Sequence, residues 1–215
     1  MNTLSTNPPR GDAEKRQPEQ DLAFIRQLME RSRRVTVLGG HYFVVWGLLV
    51  EVGLLLSWLS FERQLALTPA LIWGPLIVAG YAYTFWAQRR DRAVEGAESR
   101  DGYLIGLVWL CFGICSLIVL LADLWFQVIP SRALAGLFAT LSGAAFFLHG
   151  SLAGIGWLRN VGILWWLAAI PLYLWTGAHT LPAYAVLLFG LQVIPGWVLA
   201  QERRRLLATE AGVSL

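Results

Sequence analysis

"GGHYFVVWGLLVEVG", Gly39 to Gly53, is apolar at almost every position, yet it carries a histidine near its start and a glutamate ten residues later. Its continuation through Trp58 and Leu59 makes Tyr42 to Phe61 a run of twenty residues in which Glu51 is the sole charge. A helix rising about 1.5 Å per residue needs about 20 residues to cross roughly 30 Å of hydrocarbon. A carboxylate at mid-depth costs about 2.5 to 3.5 kcal/mol on insertion scales, while each Leu, Val or Phe returns about 0.3 to 0.6. Ten such residues lie between Phe43 and Leu56, so insertion wins and the stretch predicts a membrane-spanning helix with Glu51 facing the protein interior, neutral or paired.

Five more runs have the same character: Gln64 to Gln88, Tyr103 to Ala122, Ala133 to Leu158 (broken only by His149), Asn160 to Ala178, and Thr180 to Gln201. None shows the two-residue alternation of a membrane β-barrel; Leu117 to Leu121 is apolar at every position. Over 215 residues the chain is 56% hydrophobic and 14% charged, with a mean hydropathy of +0.54, which excludes an ordinary soluble domain. The reading is an all-α membrane protein with six transmembrane helices, preceded by a cytoplasmic amphipathic helix. Between spans four and five the only polar punctuation is "HGSLAGIGWLRN", where three glycines, Arg159 and Asn160 favour a turn.

The basic residues bear on that count. With the N-terminus inside and six crossings, fifteen of the 17 Lys and Arg residues fall on the inner side and only Arg63 and Arg132 on the outer. Fusing spans four and five would move Arg203, Arg204 and Arg205 outside, against the positive-inside rule. Both termini are therefore expected in the cytoplasm. The net charge of +3 is concentrated at the inner rim, which suits anionic lipid and makes no case for nucleic acid.

Residues 1–20 contain Pro8, Pro9 and Pro18 among polar residues and are expected to be a disordered cytoplasmic tail without a cleavable signal peptide. In 21–34, "DLAFIRQLMERSRR", Leu22, Ile25, Leu28 and Met29 form one apolar stripe. This is the spacing of an amphipathic juxtamembrane helix, with Arg26, Arg31, Arg33 and Arg34 placed to touch lipid headgroups or a protein partner. The bundle occupies 35–200 and a basic cytoplasmic tail 201–215. The segment from Arg89 to Gly102 is the one sizeable cytoplasmic loop, with a mixed-charge composition suited to a short helical extension.

Within the spans, tryptophans Trp58, Trp73, Trp125 and Trp175 fit an outer interfacial belt, and Trp86, Trp157 and Trp197 an inner one. Glycines recur every seven residues at Gly40 and Gly47, at Gly106 and Gly113, and at Gly136, Gly143 and Gly150, keeping one helix face small enough for a neighbour's backbone. Pro75, Pro171 and Pro195 lie inside spans and leave carbonyls in need of donors. Cys111 and Cys115, one turn apart, read as buried small hydrophobes and imply no disulfide.

Gln192, near mid-depth of the sixth span, is a hydrogen-bond partner within reach of Glu51 in this topology. His41 stands about 15 Å along the helix axis from Glu51 and cannot share a compact site with it. His41 and His149 fall at a similar depth on different spans, the arrangement of two axial haem ligands or of a metal site. No GxSxG, HExxH, CxxC or phosphate-binding glycine loop is present, which weighs against an enzyme.

The segment "IRQLMERSRRVTVLGG", residues 25–40, resembles that of uncharacterised small bacterial multi-pass inner-membrane proteins, which open with I-R-x-L-M-E-R-S ahead of a glycine-containing first span. The resemblance implies the bacterial inner membrane; it brings no catalytic residues. Three functions stand as expectations: a regulatory or interaction protein engaging a cytoplasmic partner through 21–34 and the central loop; a small transporter or channel using Glu51; or a haem-binding redox protein using His41 and His149. A homo-oligomer is compatible with each.

Overall fold

The structure, a computed structural model, describes residues 39–65, 67–95, 100–126, 129, 131–175, 177 and 179–210. The expected tail, the amphipathic helix with Arg26, Arg31, Arg33 and Arg34, and residues 211–215 lie outside the described residues.

Every regular element among the described residues is helical: α1 (Gly40–Glu62), α2 (Pro69–Glu95), α3 (Arg100–Phe126), α4 (Ser131–Leu152), α5 (Gly156–Leu174), α6 (Thr180–Leu188), a π-helical stretch (Phe189–Val193) and α7 (Ile194–Glu210). The last three form one continuous rod, so the chain presents six helices long and apolar enough to cross a membrane. It is an all-α, multi-pass membrane architecture. Within Arg89 to Gly102 the helices extend from both sides, α2 to Glu95 and α3 from Arg100, and residues 96–99 lie outside the described residues. The sixth rod likewise continues past residue 200 into the segment read as a tail.

The turn expected between spans four and five forms ahead of Arg159. Span four ends at Leu152, and Gly154 adopts φ +68°, the left-handed conformation that closes a helix with least strain on glycine. The Ile155 amide donates to the Gly150 carbonyl at 2.8 Å, which caps the turn and leaves Leu158 and Arg159 inside α5.

Glycine decides which helices touch most closely. A Cβ on Gly162 would lie 2.5 Å from the Phe147 nitrogen and 2.7 Å from the Gly143 carbonyl oxygen, while Gly136 and Gly143 seat the rings of Tyr173 and Trp166 and Gly150 rests on the Arg159 backbone. The heptad of α4 is thus fully used against α5, the most extensive contact in the bundle. A second backbone contact joins α1 to the sixth rod, where a Cβ on Gly40 would meet the Ala200 nitrogen at 2.5 Å and the Gly196 carbonyl oxygen at 2.6 Å. By contrast Gly106 on α3 has nothing within 4 Å of its Cβ position, and Gly113 meets only the Tyr81 hydroxyl at 3.7 Å. The packing role expected for that pair is absent: among the described side chains of α3 only Ile105 is buried, and Cys111 and Cys115 are exposed, not buried.

Indole N–H groups supply directed bonds between helices. Trp46 donates to Thr84 Oγ1 at 2.9 Å (α1 to α2), Trp109 to His149 Nδ1 at 3.1 Å (α3 to α4), and Trp166 to the Thr140 carbonyl at 3.1 Å (α5 to α4). Trp165, fully buried, donates to the Leu191 carbonyl at 3.2 Å (α5 to the π-helical stretch). That last carbonyl is the one whose α-helical donor, residue 195, is proline. The indole therefore replaces an amide that Pro195 lacks. Of the tryptophans read as belts, Trp86, Trp125, Trp157, Trp175 and Trp197 are exposed, whereas Trp73 wedges against Gly53 and the Trp58 nitrogen is buried.

Two stability outcomes follow, read as free energies of unfolding of the detergent-solubilised chain. Trp165→Phe keeps the ring but orphans the Leu191 carbonyl, for an expected loss of about 1 to 3 kcal/mol, and Pro195→Ala in the same background recovers part of it by restoring a donor. Gly162→Ala forces α4 and α5 apart and is destabilising, while Gly74→Ala, where nothing lies within 4 Å, is neutral or better.

Candidate functional site

Two polar centres occupy the bundle. The first closes the arginine-rich end. Asp91, in the last turns of α2, accepts from the Tyr42 hydroxyl at 3.0 Å and from Arg203 Nη2 at 3.0 Å, with His41 Nε2 at 3.4 Å. Arg203 Nη1 also stands 3.3 Å from His41 Nδ1. One tautomer satisfies both contacts: Nε2 carries the proton toward the carboxylate and Nδ1 accepts from the guanidinium. The His41, Tyr42 and Tyr83 rings gather around the same point, with His41 and Tyr42 centroids 4.1 Å apart. Residues from α1, α2 and α7 are tied by one carboxylate whose side chain is largely withdrawn from solvent.

His149 has a different environment. It is 1% exposed on α4, its Nδ1 accepts from Trp109, and its ring meets Phe43 at 5.5 Å between centroids. An accepting Nδ1 puts the proton on Nε2, which has no hydrogen-bond partner and, in that state, no lone pair for a metal. His41 and Phe43 are two residues apart on α1 and so project from nearly opposite faces. The structure does not turn the two histidines toward one another: one is bonded to Asp91 and Arg203, the other to Trp109.

The second centre is at mid-depth. Glu51 is half-buried on the α1 face that carries Gly40 and Gly47, the face applied to the sixth rod, and it makes no hydrogen bond or ion pair among the described residues. Gln192, 8% exposed, rests its Nε2 3.6 Å from the Cβ position of Gly47, one turn before Glu51. The two share one stretch of the interface without the hydrogen bond expected between them. The sixth rod is π-helical from Phe189 to Val193, the stretch that carries Gln192. Such single-turn insertions mark local departures from the α ladder and are frequent at functional sites.

Asp91, Tyr42, Tyr83 and Arg203 were not separable by sequence reasoning, because each stands at a span end where an ordinary interfacial polar residue belongs. The one available signal is Asp91 itself, a lone acid amid Arg89, Arg90 and Arg92.

No family model matches the chain, and no match is found among curated proteins or among solved structures.

If Asp91 couples the three helix ends, Asp91→Asn and Arg203→Gln destabilise the bundle non-additively. A double-mutant cycle on thermal unfolding should return a coupling of about 0.5 to 1 kcal/mol that shrinks at high salt.

Proposed function

We propose that this chain is a non-enzymatic regulatory or interaction protein of the bacterial inner membrane, with both termini cytoplasmic, that engages a cytoplasmic protein through residues 21–34 and the loop following α2. The orientation rests on the fifteen-to-two distribution of basic residues. One observation carries the functional reading. His41 and Tyr42 lie in the first turn of α1, Asp91 one turn before the end of α2 at Glu95, and Arg203 on α7, so the helix ends that adjoin these segments meet at one charged knot. Binding energy applied to any of them acts on the contacts that set the spacing of α1, α2 and α7. A partner with differential affinity for tied and untied helix ends would thereby be read across the bundle.

Co-purification from membranes after mild cross-linking tests this. The full chain should retain a cytoplasmic protein that is lost on deletion of residues 1–34 and is weakened, not abolished, by Asp91→Asn. An unchanged set of associated proteins in the deletion would refute the reading. A second reading, a small transporter, is favoured by Glu51, which pairs with no group among the described residues, and predicts that Glu51→Gln changes flux in proteoliposomes while leaving co-purification intact.

A further inference from the structure

The knot at Asp91 fixes the charge state of the histidine inside it. Arg203 Nη1 stands 3.3 Å from His41 Nδ1, and a guanidinium has donors only, so Nδ1 presents its lone pair. The single ring proton then belongs to Nε2, 3.4 Å from Asp91 Oδ2. His41 is uncharged in this arrangement. From the first turn of α1 it joins a cation on α7 to an anion on α2.

A second proton on the ring acts in two opposite ways. At Nε2 it turns a neutral contact with Asp91 into a charge-assisted one, which tightens α1 on α2. At Nδ1 it replaces the lone pair by an N–H aimed at Arg203, so that two donors and two positive charges face each other. Arg203 then has to turn away from the ring. Its bond from Nη2 to Asp91 Oδ1, at 3.0 Å, weakens as well, because one carboxylate now serves two cations.

The other polar groups around the ring come from the same three helices. Tyr42 on α1 donates to Asp91 Oδ2, and Tyr83 on α2 meets the imidazole edge-on with centroids 6.1 Å apart. Arg90 acts on Tyr83 together with Asp91 and Arg203, and its guanidinium lies over the Trp86 ring at 5.7 Å. On α7, Glu202 and Arg205 adjoin Arg203, and each has an interaction of its own. The side chains of His41 and Asp91 are 22% and 15% exposed, so the knot is partly open at the arginine-rich end.

The packing beside the knot limits what the Arg203 contact can release. Gly40 rests on Gly196, Leu199 and Ala200, a crossing that involves no charge. Arg203 follows that crossing, and α7 runs on to Glu210. We propose that His41 is a proton-operated latch: uncharged, it holds the end of α7 to α1 and α2 through Arg203 and Asp91, and on taking up a proton it frees α7 beyond the Gly40 crossing while keeping α1 on α2. The latch is a property of the knot alone, so its failure leaves the co-purification outcome untouched.

Amide hydrogen exchange of the full chain in nanodiscs, corrected for the intrinsic effect of pH on exchange, tests it. Between about pH 8 and about pH 5, the range over which imidazole gains its proton, protection of residues 203–210 should fall about two- to five-fold while that of 196–200 holds. His41→Asn should remove this dependence. In thermal unfolding, Arg203→Gln should lower the midpoint at the higher pH and lower it less, or raise it, at the lower one. Equal protection of 203–210 at both pH values overturns the latch, and so does a fall shared by 196–200, which is general acid destabilisation. A dependence that survives His41→Asn assigns the proton to Asp91 and refutes it. Should His41→Asn fail to fold, Arg203→Gln decides: the same shift of the midpoint at both pH values refutes the latch.

Discussion

Lipid gives two apolar helices no hydrophobic reason to associate, so the contacts of this bundle depend on how closely backbones approach and on which polar groups find partners. Gly162 against Gly143 and Phe147, and Gly40 against Gly196 and Ala200, bring main chains together where even one methyl group would intrude. Around these two crossings the indoles of Trp46, Trp109, Trp165 and Trp166 each make a directed bond to a different helix. Shape and hydrogen bonding fulfil the role that water fulfils in a soluble core. The greasy surface left over, including Leu48, Val52 and Leu55 on α1, belongs to the solvent in which the chain resides.

The same rule explains where polarity is placed. At the arginine-rich end, water is near and the Asp91 knot needs only partial desolvation, so opposite charges can pair with little commitment. Deeper, each polar atom has a larger penalty if left alone, and several are matched: Thr140 to the Gly136 carbonyl, Trp165 to Leu191, Trp109 to His149. Glu51 and Gln192 depart from this matching at the α1–sixth-rod interface, as His149 Nε2, Trp58 Nε1, Ser57 Oγ and Ser116 Oγ do elsewhere.

Six spans were legible because length and apolarity are local properties, and the Gly154 turn because glycine and charge mark it. What touches what was not legible in the same way. Gly106–Gly113 and Gly136–Gly143–Gly150 share one spacing, yet only the second meets a neighbour, since periodicity says that a face is small and is silent on which helix arrives. Trp165 and Trp58 are alike as letters. Only the course of the sixth rod, displaced by a π-helical turn ahead of Pro195, brings Leu191 to the first of them. Glu51 and Gln192 could be named from depth alone, but the absence of a hydrogen bond between them could not.

The uneven distribution of contacts also bears on how the molecule moves. α4 and α5 are joined along their length by glycine, and α1 is held to the sixth rod by backbone contact, forming a stiff pair of pairs. α2 is attached to α1 through Trp73 on Gly53, Trp46 to Thr84 and the Asp91 knot, and α3 to α4 chiefly through Trp109 and His149. These two peripheral helices have fewer buried groups, and elements of that kind open at lower free energy than a packed core. A shift of α2 acts on α1 through Asp91, Thr84 and Trp73, and α1 in turn presents Gly47 to the interface where Gln192 rests.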